Sequence, residues 1–395
     1  MRHPVADRRS FAVTMVTPGF RAVPGGVESH TSALAKELTR QGVKVLVLTA
    51  ERGIKRARVH RYDDCWVVTY PAWPVRSMSI SPRLVLAAMR SRRSGRLMHV
   101  HSFHATTALA ILGRRTPTVF TPHYHGKHGH SALANLLHLP YHYLGKVLFR
   151  RCDAVICVSD AERDALVADF PFVADRVGVI PNGADVEAIW SADPYRDEPT
   201  TVLCVGRLEG YKRVDAVIRA FVHAPANAQL VVVGTGPAQD ALAALAVELG
   251  ISDRTRLLGR VDDDELHRWM RTAHVMVSMS EREAFGMAPI EAACAGARII
   301  LSDIPAHRDV AAKYLPKVCT LIADPTPRGL GEEMCRQLAA PRATSSTVPD
   351  WRDVVEQTVE IYSAAGCHGG ASNTDETQYI TSASRVDAQH MEMTR

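Results

Sequence analysis

The stretch Ser280–Gly296, SEREAFGMAPIEAACAG, carries two glutamates, Glu283 and Glu291, separated by seven residues. Between them a small Phe285-Gly286-Met287-Ala288 turn precedes Pro289. Proline suits the first helical position, where an N–H has no intrahelical partner anyway. A helix is therefore expected over Pro289–Ala295, opened by the loop Ala284–Ala288. The loop's N–H groups and the helix dipole then make an anion site suited to phosphate. The carboxylates repel phosphate but accept hydrogen bonds from hydroxyls, of which a sugar or a ribose has several. A helix N-terminus between two hydroxyl acceptors points to a sugar nucleotide. A plain βα turn with two solvated glutamates fits the same letters, and the rest of the chain decides between them.

Val275–Ser278 is the strand that delivers this stretch, and apolar runs on either side repeat the pattern. Thr201–Val205 reads as a strand ending in Gly206-Arg207-Leu208-Glu209-Gly210-Tyr211-Lys212, with a helix from Val214. Arg207 and Lys212 leave that strand's carboxyl end as two cations able to clamp a diphosphate, the arginine fork bidentately. A solvated loop is the plainer alternative. Gln229–Val233, Thr255–Leu258, Arg298–Leu301 and Val318–Ile322 are further strands, with helices over Ala238–Leu249 and Asp263–Thr272. Gly234-Thr235-Gly236-Pro237 reads as a turn, and Trp351–Ala364 as a last helix.

The N-terminal half has the same grammar. Strand Phe11–Val16, a Gly-rich loop through Gly25 and Gly26, helix Val27–Gln41 and strand Val43–Thr49 make a βαβ unit, hence a parallel sheet. The glycines do not match G-x-G-x-x-G, so dinucleotide binding is not expected. Trp66–Tyr70, Leu97–His101, Val119–Thr121, Ala154–Val158 and Val177–Ile180 are strands. Helices are expected over Pro82–Arg92 and Ser131–Arg151, with another capped near Ser159. Seven histidines fall between His99 and His130. His99 and His101 share a strand face, and His123 and His125 could pair likewise. No cysteine or carboxylate joins them at ligand spacing, so a polar acceptor pocket is preferred to a metal. The polar segment Trp190–Pro199 reads as an interdomain linker.

The 395 residues suggest two domains. Hydrophobic residues at 46% and charged residues at 23% are ordinary for a globular protein. A formal charge of +5 suits an anionic ligand or an acidic membrane surface without the basic stripe of a nucleic-acid binder. The eight cysteines form no CxxC pair. With no long apolar run and no apolar leader after MRHPVADRRS, a cytoplasmic location is expected.

Taken together, VPGGVESHTSALAKELTRQG, TPHYHG, VSDAERDAL, IPNGAD, VGRLEGYKRVD, VVVGTGP and EREAFGMAPIEAACAG resemble glycosyltransferase family 4, the retaining nucleotide-sugar transferases of the GT-B fold. The resemblance covers about residues 10–365 and implies an α/β architecture, two Rossmann-like domains with parallel sheets facing across a cleft. The expected division is an acceptor-side domain over 1–195, a donor domain over 196–350, a helix over 351–366 crossing back to the first domain, and a disordered tail over 367–395. By the same resemblance Arg207 and Lys212 hold the donor diphosphate, Glu283 binds the transferred sugar, and Phe285, Gly286, Met287 and Ala288 offer backbone donors. Glu291 is similar to the glutamate that accepts the ribose hydroxyls, and Gly259–Val261, hence Gly259 and Val261, lies where the family holds the base. Gly25 and Gly26 would approach the phosphate. His123 resembles the cleft histidine at the reacting carbon, with His125 as its rival. With two cations and a helix dipole on the leaving group, no cofactor and no metal are expected. The partners are a UDP- or GDP-linked sugar and a hydroxyl-bearing acceptor, small and soluble in preference to a lipid or polysaccharide at a membrane surface, with no nucleic acid. A GT-B sugar-nucleotide epimerase would share the donor site but would need carboxylates for proton abstraction at C2, which the N-terminal half does not supply.

Overall fold

A computed structural model describes residues 12–20, 25–75, 78–90, 96–113, 116–124, 132–343 and 348–366. His125 and the tail beyond 366 lie outside these residues. The chain forms two compact units, one of residues 1–158, 163–180 and 354–395, the other of residues 159–162 and 181–353.

In the first unit the strands are β1 (Ala12–Val16), β2 (Lys44–Arg52), β3 (Arg58–Tyr62), β4 (Cys65–Val75), β5 (Met78–Ile80), β6 (Arg96–His101), β7 (Thr118–Thr121), β8 (Ala154–Cys157) and β9 (Val177–Val179). They run in the order β3-β4-β2-β1-β6-β7-β8-β9, with β5 paired to β4. Pairing is parallel from β4 through β9, while β3 and β5 lie antiparallel to β4. Helices α1 (Gly26–Arg40), α2 (Pro82–Arg90), α3 (Ala132–Arg151) and α4 (Asp160–Asp169) follow in sequence. Strands covered on both faces read as continuous apolar runs, and all four residues of β7 are buried. The antiparallel β3, RVHRY, is almost wholly exposed. No apolar periodicity announced it, so the sequence reading missed it.

The second unit holds β10 (Thr200–Val205), β11 (Ala228–Val233), β12 (Thr255–Gly259), β13 (Val275–Ser278), β14 (Arg298–Ser302) and β15 (Cys319–Ile322). All are parallel, in the order β12-β11-β10-β13-β14-β15. Counted from β10 this is 3-2-1-4-5-6, the doubly wound order, whose switch point between β10 and β13 is where such sheets bind ligands. The helices are α5 (Val186–Ser191), α6 (Val214–Phe221), α7 (Gln239–Glu248), α8 (Asp263–Thr272), α9 (Met287–Cys294), α10 (Pro305–Tyr314), α11 (Pro327–Ala339) and α12 (Trp351–Ala364). From Val354 onward α12 belongs to the first unit. There the Tyr362 hydroxyl bonds His99 Nδ1 at 2.7 Å.

Three expectations need correction. The second unit begins at Pro181 rather than near 196. The proposed linker 190–199 lies inside the second unit, where the Tyr195 ring is tilted against Trp269 at 4.6 Å and its N–H donates to Thr272 Oγ1 at 2.8 Å. Its polar residues and two prolines suggested an interdomain linker, and they do leave it largely exposed, but the Tyr195 contacts tie it to α8 within the second unit. Finally, α9 starts two residues early, at Met287. Pro289 is then its third residue, still within the first turn, where no intrahelical bond is lost. The cap is Gly286 at φ 102°, a backbone region glycine reaches without strain.

Candidate active site

Two loops meet beyond the carboxyl ends of β10 and β13. The first, Gly206–Lys212, ends in a short 3-10 turn, Gly210–Lys212, before α6. It is pinned from beneath by close backbone packing. A Cβ on Gly234 would stand 1.9 Å from the Gly206 carbonyl oxygen, so glycine is required at that point. The second loop runs from Met279 to Gly286. Backbone ties the two together, as Glu281 N–H donates to the Tyr211 carbonyl at 2.8 Å.

The juxtaposition brings Lys212 Nζ to 2.5 Å from Glu283 Oε1, with each side chain 18% exposed. Burial alone would raise the Glu283 carboxyl. The Lys212 charge and hydrogen bond, with lesser help from His307 and Ser280, outweigh it and hold the group below its ordinary value. Glu283 is thus an ionised hydroxyl acceptor at neutral pH, and Lys212 a cation at its side. Arg207 lies further out, 48% exposed, beside Glu209 at 3.0 Å and with a guanidinium N–H donating to the Tyr211 hydroxyl at 2.9 Å. The Arg282 guanidinium covers the Tyr211 ring at 4.6 Å. Phe285 is buried, and Gly286, Met287 and Ala288 open α9.

Glu291 sits one turn into α9. Burial, then the charges of Asp263 and Asp185, push its carboxyl up to about 7. It therefore exchanges its proton near neutrality and can serve hydroxyls as acceptor or donor. Gly259 closes β12 at φ 70° and its carbonyl accepts from Gly234 N–H at 2.7 Å, while Val261 follows half-buried. The sequence reading missed His307, which α10 buries completely. Its Nδ1 lies 2.9 Å from the Ser302 carbonyl oxygen, and it would face a Cβ placed on Gly286 at 3.6 Å. Burial, the leading influence, lowers its pKa despite the Glu283 charge. The one available signal was Pro305, a helix-opening proline two residues upstream.

Gly25, Gly26 and His123 belong to the first unit. Gly25 precedes α1 in extended backbone at φ 171°, and Gly26 is the helix's first residue. His123 follows β7 at φ 47°, 6% exposed. The histidine partners differ from expectation: His123 meets His30 of α1 at 5.0 Å between ring centroids. His99 and His101 do share a face, 4.1 Å apart. Burial, with the nearby His30, lowers His99 to about 3.

Two family models match the chain: one described as Glycosyltransferase Family 4 over residues 24–188, and one described as Glycosyl transferases group 1 over residues 187–334. The chain belongs to glycosyltransferase family 4. This family 4 chain is similar to a human phosphatidylinositol N-acetylglucosaminyltransferase subunit, being 25% identical over 90% of the chain and 76% of that protein. It is also 26% identical to glycogen synthase of Mycobacterium tuberculosis strain CDC 1551, over 92% of the chain and 83% of that enzyme. Among solved structures, Anabaena HepE in complex with UDP and glucose superposes with a TM-score of 0.71 at 18% identity, over 89% of this chain and 99% of that one. The sucrose-phosphate synthase of Thermosynechococcus elongatus gives 0.67 at 18%, over 89% and 98%. The family 4 chain thus has the GT-B fold and is a glycosyltransferase. Among the described residues no helix is long and apolar enough to cross a membrane.

Proposed function

We propose that the protein transfers a hexose from a nucleoside-diphosphate sugar, UDP- or GDP-linked, to an acceptor hydroxyl with retention of configuration. The observation that carries this reading is the Lys212–Glu283 pair at 2.5 Å beside the N-terminus of α9. Together they offer a cation for phosphate and a carboxylate for sugar hydroxyls side by side in the second unit. HepE, the structural neighbour crystallised with UDP and glucose, supports a sugar-nucleotide donor.

When the sugar–phosphate bond breaks, negative charge grows on the departing diphosphate. Arg207, Lys212 and the α9 dipole stabilise it, and donors so placed are each worth about 2–4 kcal/mol of barrier. Glu283 holds the sugar, and Glu291 takes the ribose hydroxyls. Gly259 and Val261 flank the base through backbone, and Phe285, Gly286, Met287 and Ala288 present the loop's N–H groups. Because protein cations meet the leaving group, that step requires no divalent ion. No carboxylate is assigned as a covalent nucleophile, so a front-face route, with a donor phosphate oxygen assisting deprotonation of the acceptor, accounts for retention. Gly25, Gly26 and His123 carry the first unit's share of the work.

A small soluble acceptor fits the mild charge of +5. The second reading is a lipid acceptor, favoured by the similarity to phosphatidylinositol N-acetylglucosaminyltransferase subunits. The deciding experiment is calorimetric titration with UDP, GDP and ADP, followed by a mixed-acceptor assay with the nucleotide sugar of the base that binds. Selective binding and a new glycoside, both lost in Glu283→Ala, support the reading. Full transfer by a folded Glu283→Ala variant would overturn the site.

A further inference from the structure

Three histidines from separate elements converge in the first unit: His30 from α1, His101 from the end of β6, and His123 just past β7. Their exposures are 4%, 0% and 6%, and one ring nitrogen from each lies within 4.8 Å of the others. Numbered from β1, the strand order of this sheet also turns back between β1 and β6. The cluster therefore occupies the sheet's switch point, beyond the strands' carboxyl ends, where doubly wound sheets take their ligands.

Among the described residues, neither ring nitrogen of His101 has a hydrogen-bond partner. A fully buried imidazole, 0% exposed, with both nitrogens idle is costly. The neighbouring His99 shows what a satisfied core histidine looks like. Its Nδ1 meets the Tyr362 hydroxyl at 2.7 Å and its Nε2 the Thr121 hydroxyl at 2.8 Å. Tilted 40° to His101 at 4.1 Å between centroids, it packs against that ring while its own nitrogens are already engaged. Backbone strain is concentrated at the same place, since Ser102 at φ 72° and His123 at φ 47° are both left-handed non-glycine residues. Such conformations persist where surrounding structure enforces them, often at ligand sites.

We propose that His30, His101 and His123 form a three-imidazole site for a divalent transition-metal ion of the zinc class. Imidazole ligands suit zinc, cobalt, nickel and copper in preference to magnesium or calcium. Tetrahedral zinc with nitrogen ligands at about 2.0–2.1 Å needs them roughly 3.3 Å apart. Side-chain rotation of about an ångström therefore closes the site from its 4.8 Å limit. Three protein ligands leave a fourth position open to water or to an oxygen of a bound molecule. The ion belongs to the first unit, whereas Arg207 and Lys212 belong to the second. The site therefore stands or falls independently of the leaving-group role proposed for those two cations.

The test uses the full chain stripped with a chelator and titrated with cobalt(II) chloride, then zinc chloride. The expected result is one equivalent of cobalt with the intense visible bands of a tetrahedral site, displaced by zinc. Affinity falls at least 100-fold in His101→Ala and stays unchanged in His60→Ala, whose ring is exposed on β3. That control is needed because the chain has 18 histidines. Absence of stoichiometric binding by the folded chain, or equal affinity in a folded His101→Ala, overturns the site. Should His101→Ala fail to fold, zinc-edge X-ray absorption of the loaded wild type decides. Three imidazole nitrogens support the site, and a sulfur ligand or fewer imidazoles refutes it.

Discussion

Lys212→Ala removes the cation from a pair in which both side chains are only 18% exposed. Removing one partner of a fully buried pair costs about 3–5 kcal/mol, because the other charge is stranded. The residual exposure here draws that down to about 2–3 kcal/mol at pH 7. For a unit of this size such a loss lowers its melting temperature by roughly 4–12 °C. The pH dependence is more diagnostic than the size. In the wild type the Glu283 pKa is lowered, so its contribution is present above the ordinary carboxylate pKa and is lost as pH falls through the folded value. Without Lys212 burial dominates and the folded pKa rises above the unfolded one. The sign then reverses: the variant is least penalised near pH 4 and loses stability as pH rises towards 8. Lys212→Ala/Glu283→Gln leaves no charge stranded and should regain most of the loss at pH 8. The assay is calorimetric melting of the wild type and both variants at pH 4, 6 and 8. Parallel curves for wild type and single variant, or a double variant no more stable than the single one, would refute the reasoning.

Other outcomes can be checked with the same proteins. Glu291→Gln should raise the melting temperature at pH 8 but not at pH 4, since the carboxyl pushed up to about 7 resists ionisation only above its unfolded pKa. The same change should weaken nucleotide binding in calorimetry by about tenfold, the order of one lost hydrogen bond to a charged group. Gly234→Ala should cost more than about 2 kcal/mol in denaturant unfolding, because the new Cβ would lie 1.9 Å from the Gly206 oxygen at φ 137°. Omitting magnesium and manganese should leave the transfer rate unchanged, whereas a rate that depends on either ion would remove the leaving-group role from Arg207 and Lys212.

Much of the architecture was legible in the letters, because strands buried on both faces must be continuous apolar runs and glycine must stand where backbones close on one another. AQLVVV at β11 and VMVS at β13 announced themselves in this way, as did Asp263–Thr272, a helix whose bounds the structure reproduces. The candidate residues could be named from the letters for a similar reason. The glutamate–turn–glutamate stretch and the Arg207–Lys212 loop each follow a strand, and chemistry in such sheets gathers at strand ends.

What the sequence could not state is which distant groups meet. Lys212 and Glu283 are 71 residues apart, and only the adjacency of β10 and β13 in the sheet places them at 2.5 Å. His307 reads as one polar residue in a turn until α10 buries it against Ser302 and the α9 cap. The window 99–130 held histidines enough to raise a metal, yet the partner of His101 and His123 is His30, brought from α1 by the β1–β6 pairing. Local sequence determines propensity, period and turn chemistry, since those depend on neighbours along the chain. Ion pairs, burial and ligand sets depend on neighbours in space, and those the strand order of each sheet decided.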